Sequence, residues 1–215
     1  MQTLRLTKKD FKETVNYWKE YVGKTDVSDF QGHIEIEGGL GYCRFDSIKA
    51  TGRILAEAGS GIKAGEGIEA GEGIEAGWGI KAGEGIEADS GIKAGWGIEA
   101  GWGIEAGEGI EAGSGIEAGL GIKAGEGIKA GLSISCKRRL SFAYNLFAGI
   151  CTWKKVSNDE KTITCGKLEP RDTDSKIEYG VLNEIGLPNE IKTPSLSGKE
   201  VKIILDGVEY VATIK

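Results

Sequence analysis

Carboxylates are the side chains most able to do chemistry in the middle of this chain, and they recur at fixed spacing: Glu66, Glu69, Glu72 and Glu75, then Glu84 and Glu87, then Glu105, Glu108 and Glu111. Two carboxylates can share acid–base work when one is held protonated and the other ionised around a bound substrate. Such a pair must stand out from its surroundings, beside a nucleophile or in a pocket. Here the carboxylates repeat uniformly and no nucleophile accompanies them. No catalytic residue is assigned, and the chain is expected not to be an enzyme. The four cysteines, Cys43, Cys136, Cys151 and Cys165, form no Cys-x-x-Cys pair, and His33 is the only histidine. Zinc-type spacing is therefore absent. Buried free thiols are the reading, with no metal and no cofactor expected.

The element that carries the carboxylates is a six-residue repeat. The unit Ala-Gly-x-Gly-Ile-x starts at Ala58 and recurs to Ala130, thirteen times. Asp89 makes the one break in the first glycine column. Ile and the Ala two residues later point to the same side of a short strand, and the Lys or Glu between them points away. Gly-x-Gly then turns the corner, where residues without Cβ can take positive φ; Asp tolerates such angles better than most. Glycine is abundant (36 residues) and proline scarce (3), so the fixed period marks a folded repeat rather than a linker or collagen. Six residues per side give a triangular coil of about eighteen residues per turn, little over four turns and ~20 Å tall for the regular part. The fold class is all-β, a triangular β-solenoid.

Eighteen-residue turns make definite stacking predictions. Glu75, Lys93, Glu111 and Lys129 form a column of alternating sign, which favours the period. Glu69, Glu87, Glu105 and Lys123 form another, whose three stacked carboxylates repel one another. The corner positions fall into three columns: Ser60, Trp78, Trp96, Ser114 and Leu132; Glu66, Glu84, Trp102 and Leu120; Glu72, Ser90, Glu108 and Glu126.

The run GIKAGEGIEAGEGIEAGWGIKAG resembles the hexapeptide-type β-helices, and its Ile-x-Ala-Gly phrase is most similar to the bactofilin-like, polymer-forming proteins. The resemblance covers about half the chain. It implies a right-handed coil and a self-assembling structural role. The left-handed hexapeptide acyltransferases use a histidine between subunits, and His33 lies ahead of the array and matches no motif of theirs.

Around the array, residues 1–33 are expected to form an N-terminal helical cap. Thr7 would cap a helix running to about Val22, with Phe11, Val15, Trp18 and Val22 on its apolar face. Residues 34–135 are expected to be solenoid, irregular up to residue 57. Residues 136–215 are expected to be a C-terminal cap or small β region, with irregular strands around Ile150, Trp153, Ile163 and Cys165 and a polar loop over 172–176. It ends in a hairpin of residues 201–205 and 208–214 about a type I′ turn at Asp206-Gly207.

The net charge is -6, which disfavours direct binding to nucleic acid. No apolar run is long enough to span a bilayer, and the N-terminus does not read as a signal peptide. A cytoplasmic location is expected. Tryptophans between glycines have little local cover, and exposed tryptophan is enriched at binding hot spots. The candidate partner-binding residues are Trp78, Trp96, Trp102, Glu66, Glu69, Glu84, Glu87 and Glu105. The functional expectation is a non-catalytic macromolecule-binding protein. In its concrete form it is a phage or mobile-element inhibitor of the anti-CRISPR kind, whose acidic solenoid blocks a basic nucleic-acid-binding surface of a bacterial complex. The alternatives are a bactofilin-like homo-oligomer and an ice-binding solenoid.

Overall fold

The alternation Ile-x-Ala has one stable solution: apolar residues inward, charged residues outward, and a chain that turns often enough to close on itself. A computed structural model of the chain adopts that solution; it describes residues 1–14, 18–187 and the strands Glu200–Leu205 and Val208–Thr213. Short strands follow one another around three sheets, parallel throughout except for one antiparallel pair at the start of the second. The first face holds nine strands, from Gln2–Leu6 through Ile74–Ala76 to Lys176–Tyr179. The second holds ten, from Phe11–Glu13 through Ile80–Ala82 to Val181–Glu184. The third holds seven, from Ile48–Ala50 through Ile86–Ala88 to Lys167–Pro170. Nine strands stacked at ~4.8 Å make the coil roughly 38 Å tall, about eight turns.

The eighteen-residue period is explicit in the register. Glu75 pairs with Lys93, and Lys93 with Glu111. Glu87 stands between Glu69 and Glu105. The repeat isoleucines are 0–1 % exposed and the repeat alanines from Ala64 to Ala130 at most 8 %, whereas Ala58 at the start of the array is exposed. Each buried isoleucine contributes about 1.5–3 kcal/mol relative to an exposed one. The small alanine beside it lets the three walls meet around a narrow core. Beyond the repeats, Leu140, Phe142, Leu146, Ile163 and Cys165 continue the interior columns, all fully buried.

The glycines hold the corners for a reason other than the expected one. Every positive-φ glycine among the described residues lies outside residues 60–131. Gly59 alone among the first glycines of the repeats has positive φ, and from Gly71 to Gly131 the first glycine is instead pressed against the turn below. A Cβ on Gly101 would lie 2.0 Å from the Gly83 carbonyl oxygen, and one on Gly119 would lie 1.8 Å from that of Gly101. Thr51 and Asp89 carry side chains at this position, both in the third corner, where Gly71 and Gly107 alternate with them in the stack.

The expected N-terminal helix is not present. Thr7 and Asp10 do satisfy each other as a capping pair, with Asp10 Oδ2 accepting the Thr7 N–H at 2.8 Å, but they close only the 3-10 turn Lys8–Asp10. Phe11–Glu13 and Lys19–Tyr21 then pair antiparallel beneath the second face. Phe11 is buried through edge contacts with Tyr21 at 5.7 Å and Phe45 at 5.8 Å, whereas Val22 is 55 % exposed. Val15 lies outside the described residues. The antiparallel pair ends the second sheet at the bottom of the coil and leaves its last parallel edge covered.

At the other end the interior columns finish with Leu168 over Leu140, Ile177 over Leu146 and Leu182 over Ile163. Leu182 is 42 % exposed although it occupies an interior register position. The C-terminal strands Glu200–Leu205 and Val208–Thr213 pair antiparallel as a hairpin. The turn expected at Asp206-Gly207 lies outside the described residues, as does Ile214. No helix among the described residues is long and apolar enough to cross a membrane.

Candidate macromolecule-binding surface

Each flat face of the solenoid carries two ridges that run along its axis, one from the corner positions and one from the mid-strand positions. Between them lies an open groove floored by glycine and isoleucine. The corner ridge bordering the groove of the first face carries Glu72, Glu108 and Glu126, but its mid-strand ridge is balanced in charge, since Glu75, Lys93, Glu111 and Lys129 alternate there. The mid-strand ridge of the third face is not. It reads Lys49, Glu69, Glu87, Glu105, Lys123. Lys49 lies 2.6 Å from Glu69, and Lys123 binds Glu105. The Glu69 carboxylate, first by hydrogen bond and then by its charge, raises the Lys49 pKa. Glu87 is left between two carboxylates, and no cation pairs with it among the described residues.

The second corner borders this face. Its backbone ladder stacks Glu84 on Glu66, Trp102 on Glu84 and Leu120 on Trp102. Trp102 is 56 % exposed and Leu120 is 42 % exposed. Glu69, Glu84, Glu87, Trp102 and Glu105 line one continuous groove, with Lys123 and the Arg139–Glu169 ion pair at its upper end. Six of the eight sequence-selected residues therefore share one face: Glu66, Glu69, Glu84, Glu87, Trp102 and Glu105.

The other two lie elsewhere. Trp78 and Trp96 stack on each other in the first corner, with ring centroids 4.9 Å apart and planes 6° apart. The lower ring, Trp78, is half-buried and meets the edge of Tyr42 at 5.7 Å. Trp96 is 51 % exposed. Ser60, read from the sequence as an outward corner residue, is buried: its hydroxyl donates to the Glu37 carbonyl at 2.6 Å and accepts the Leu40 N–H at 3.0 Å.

Sequence reasoning missed three contributors. Tyr42 belongs to the irregular turns before the array. Lys49 and Arg139 flank the array on either side; Ile48-Lys49-Ala50 resembles the repeat, but the register shift at Ile54-Leu55 puts Lys49 beside Glu69, twenty residues on. A fourth feature is the covering of the lower second face: the Trp18 ring lies 3.6 Å from the Lys63 ammonium and 6.0 Å from the Arg44 guanidinium. Burial there, aided by Lys81 and Arg44, lowers the Lys63 pKa.

The thiols sit apart from these surfaces. Cys43, Cys136 and Cys165 are buried, and burial pushes their pKa values up to about 12, 12 and 11. His33 Nδ1 accepts the Arg53 N–H at 3.0 Å. Among the described residues no group of three or more His, Cys, Asp or Glu side chains could hold a metal ion. Comparison with models of protein families, with curated proteins and with solved structures finds no match for the chain.

Proposed function

We propose that this protein is a non-catalytic binding module that docks its third face on a basic surface of a protein partner. One observation carries the reading. Glu66, Glu84, Glu69, Glu87 and Glu105 surround a 56 %-exposed Trp102 on a single flat face, and only two of these carboxylates have cationic partners among the described residues. Directly stacked like charges work against the stability of the coil. A basic partner relieves that repulsion, and an exposed aromatic ring among charges is a common anchor at interfaces. The scaffold loses little freedom on binding because its face is already ordered. In finer form, the partner is a nucleic-acid-handling bacterial complex, and the solenoid occupies its basic groove as a phage or mobile-element inhibitor would. Affinity capture from bacterial lysate, with the Glu69→Lys/Glu87→Lys/Glu105→Lys variant in parallel, tests this. Retention of the same partner by that variant rejects the docking face.

A second reading is end-to-end self-assembly, in line with the bactofilin resemblance. It is favoured by the upper end of the coil, where Leu182 and Ile185 are 42 % and 58 % exposed. The antiparallel strands below the second face argue against growth from the other end. Light scattering of the purified chain separates the two readings: filaments or an open series of oligomers support assembly.

A further inference from the structure

We infer that the first corner carries a slot for one planar cationic group, the guanidinium of an arginine side chain on a partner protein. The argument begins with the aromatic ladder. Trp78 and Trp96 stack one turn apart, the edge of Tyr42 reaches Trp78 from two turns below, and the stack stops at Trp96. The next corner residue is Ser114, whose N–H donates to the Trp96 carbonyl, and the one above it is Leu132, whose N–H donates to the Ser114 carbonyl, both at 3.1 Å. With 4.9 Å between successive rings, Leu132 stands roughly 10 Å above Trp96. The stack thus ends at Trp96, and the space over Ser114 takes one flat group at stacking distance from the free indole face.

The surroundings set the charge of that group. A groove beside the gap is lined by Trp96, Lys81, Glu99, Ser114, Glu117 and Ser135. Lys81 binds Glu99, which raises the Lys81 pKa chiefly through that hydrogen bond. Glu117 has no cationic partner among the described residues, so the groove holds one carboxylate in excess. The serine hydroxyls add acceptors for N–H donors. A flat shape with a single positive charge and several N–H donors describes guanidinium. An ammonium lacks the flat face, and a nucleotide would bring its phosphate against Glu117. The same face already uses this chemistry within the chain, where Trp18 covers Lys63 and Arg44. The slot lies on a different corner from Trp102, and the inference stands independently of the third-face docking.

The five tryptophans each give one indole N–H signal in a proton–nitrogen correlation spectrum, and Trp96→Phe assigns the relevant one. N-acetyl-arginine amide, N-acetyl-lysine amide and adenosine are titrated separately. The expected result is a saturable shift of the Trp96 signal by the arginine compound, tighter than by the lysine compound, because only guanidinium can lie flat on the ring while its N–H groups reach the acceptors beside it. Ser114→Trp, which fills the gap with the next rung of the ladder, abolishes the shift, and Glu117→Gln weakens it. Equal response to lysine, an equal response to adenosine, no response to arginine, or an arginine shift that persists in Ser114→Trp overturns the inference. None of these outcomes bears on capture of a partner by the third face.

Discussion

Gly119→Ala tests why the corners are glycine. The added Cβ would lie 1.8 Å from the Gly101 carbonyl oxygen, where ordinary contact begins near 3.4 Å. The turn must therefore open by about 1.6 Å at that point, a displacement comparable to losing a hydrogen bond outright. Two bonds hold the corner closed there: Gly119 N–H to the Ala100 carbonyl at 2.9 Å and Leu120 N–H to the Trp102 carbonyl at 2.7 Å. Losing one costs about 1 kcal/mol, and the crowding adds roughly 1–3 kcal/mol. Alanine returns about 0.4–1 kcal/mol by restricting the unfolded chain. The net loss is about 2 kcal/mol. The second glycine of the repeat provides the control. A Cβ on Gly85 would lie 3.6 Å from the Gly103 carbonyl oxygen, so Gly85→Ala is expected to be neutral or to stabilise by about 0.5 kcal/mol. Urea unfolding followed by far-ultraviolet circular dichroism measures both. If the two variants fall within about 0.5 kcal/mol of each other, the close-approach account of the first glycine is wrong.

Three further outcomes are expected. Glu87→Lys gives the third face the alternating column of the first, so the melting temperature rises at low salt and the gain fades as salt screens it; a gain unchanged by salt would show another cause. Of the four thiols, only Cys151, the one not buried, reacts quickly with a thiol reagent at pH 8 in the folded chain, and the other three follow unfolding. The raised thiols also make stability depend on pH. Unfolded thiols release protons from about pH 9, the folded ones only towards about 11–12. The unfolded chain then binds fewer protons, so this contribution is complete below about pH 9 and is lost as pH rises. Comparing the melting temperature of wild type and Cys43→Ala from pH 7 to 10 isolates it, and parallel curves would refute it.

The regular array was legible because two signals agree there. The isoleucine and alanine spacing sets the inward side, and the charges eighteen residues apart fit the stacked register. The N-terminal region misled because Thr7 and Asp10 form a real capping pair, while Phe11, Val15, Trp18 and Val22 happen to fall at helical spacing. The residue that decides is Tyr21, which meets Phe11 across an antiparallel pair rather than along a helix. Local pattern there yielded to the demand of the coil for a covered bottom edge. The corner glycines were placed correctly, but beyond Gly59 they were explained by the wrong property, since close approach between turns leaves no mark in a single repeat. The candidate surface was legible as residue columns, and these already separate Trp78 and Trp96 from Trp102. Lys49 sits in a legible Ile-x-Ala frame, but the extra residues around Ile54-Leu55 hide its offset to the array, and Arg139 lies beyond the last repeat.

The central claim is that the third face is the docking surface. Capture from bacterial lysate by three forms of the chain tests it: wild type, Glu69→Lys/Glu87→Lys/Glu105→Lys on the third face, and Glu75→Lys/Glu108→Lys/Glu111→Lys, which changes the charge equally but on the first face and its corner. The account expects wild type and the first-face variant to hold the same basic partner and the third-face variant to lose it. Capture of that partner by the third-face variant as well as by wild type would contradict the account.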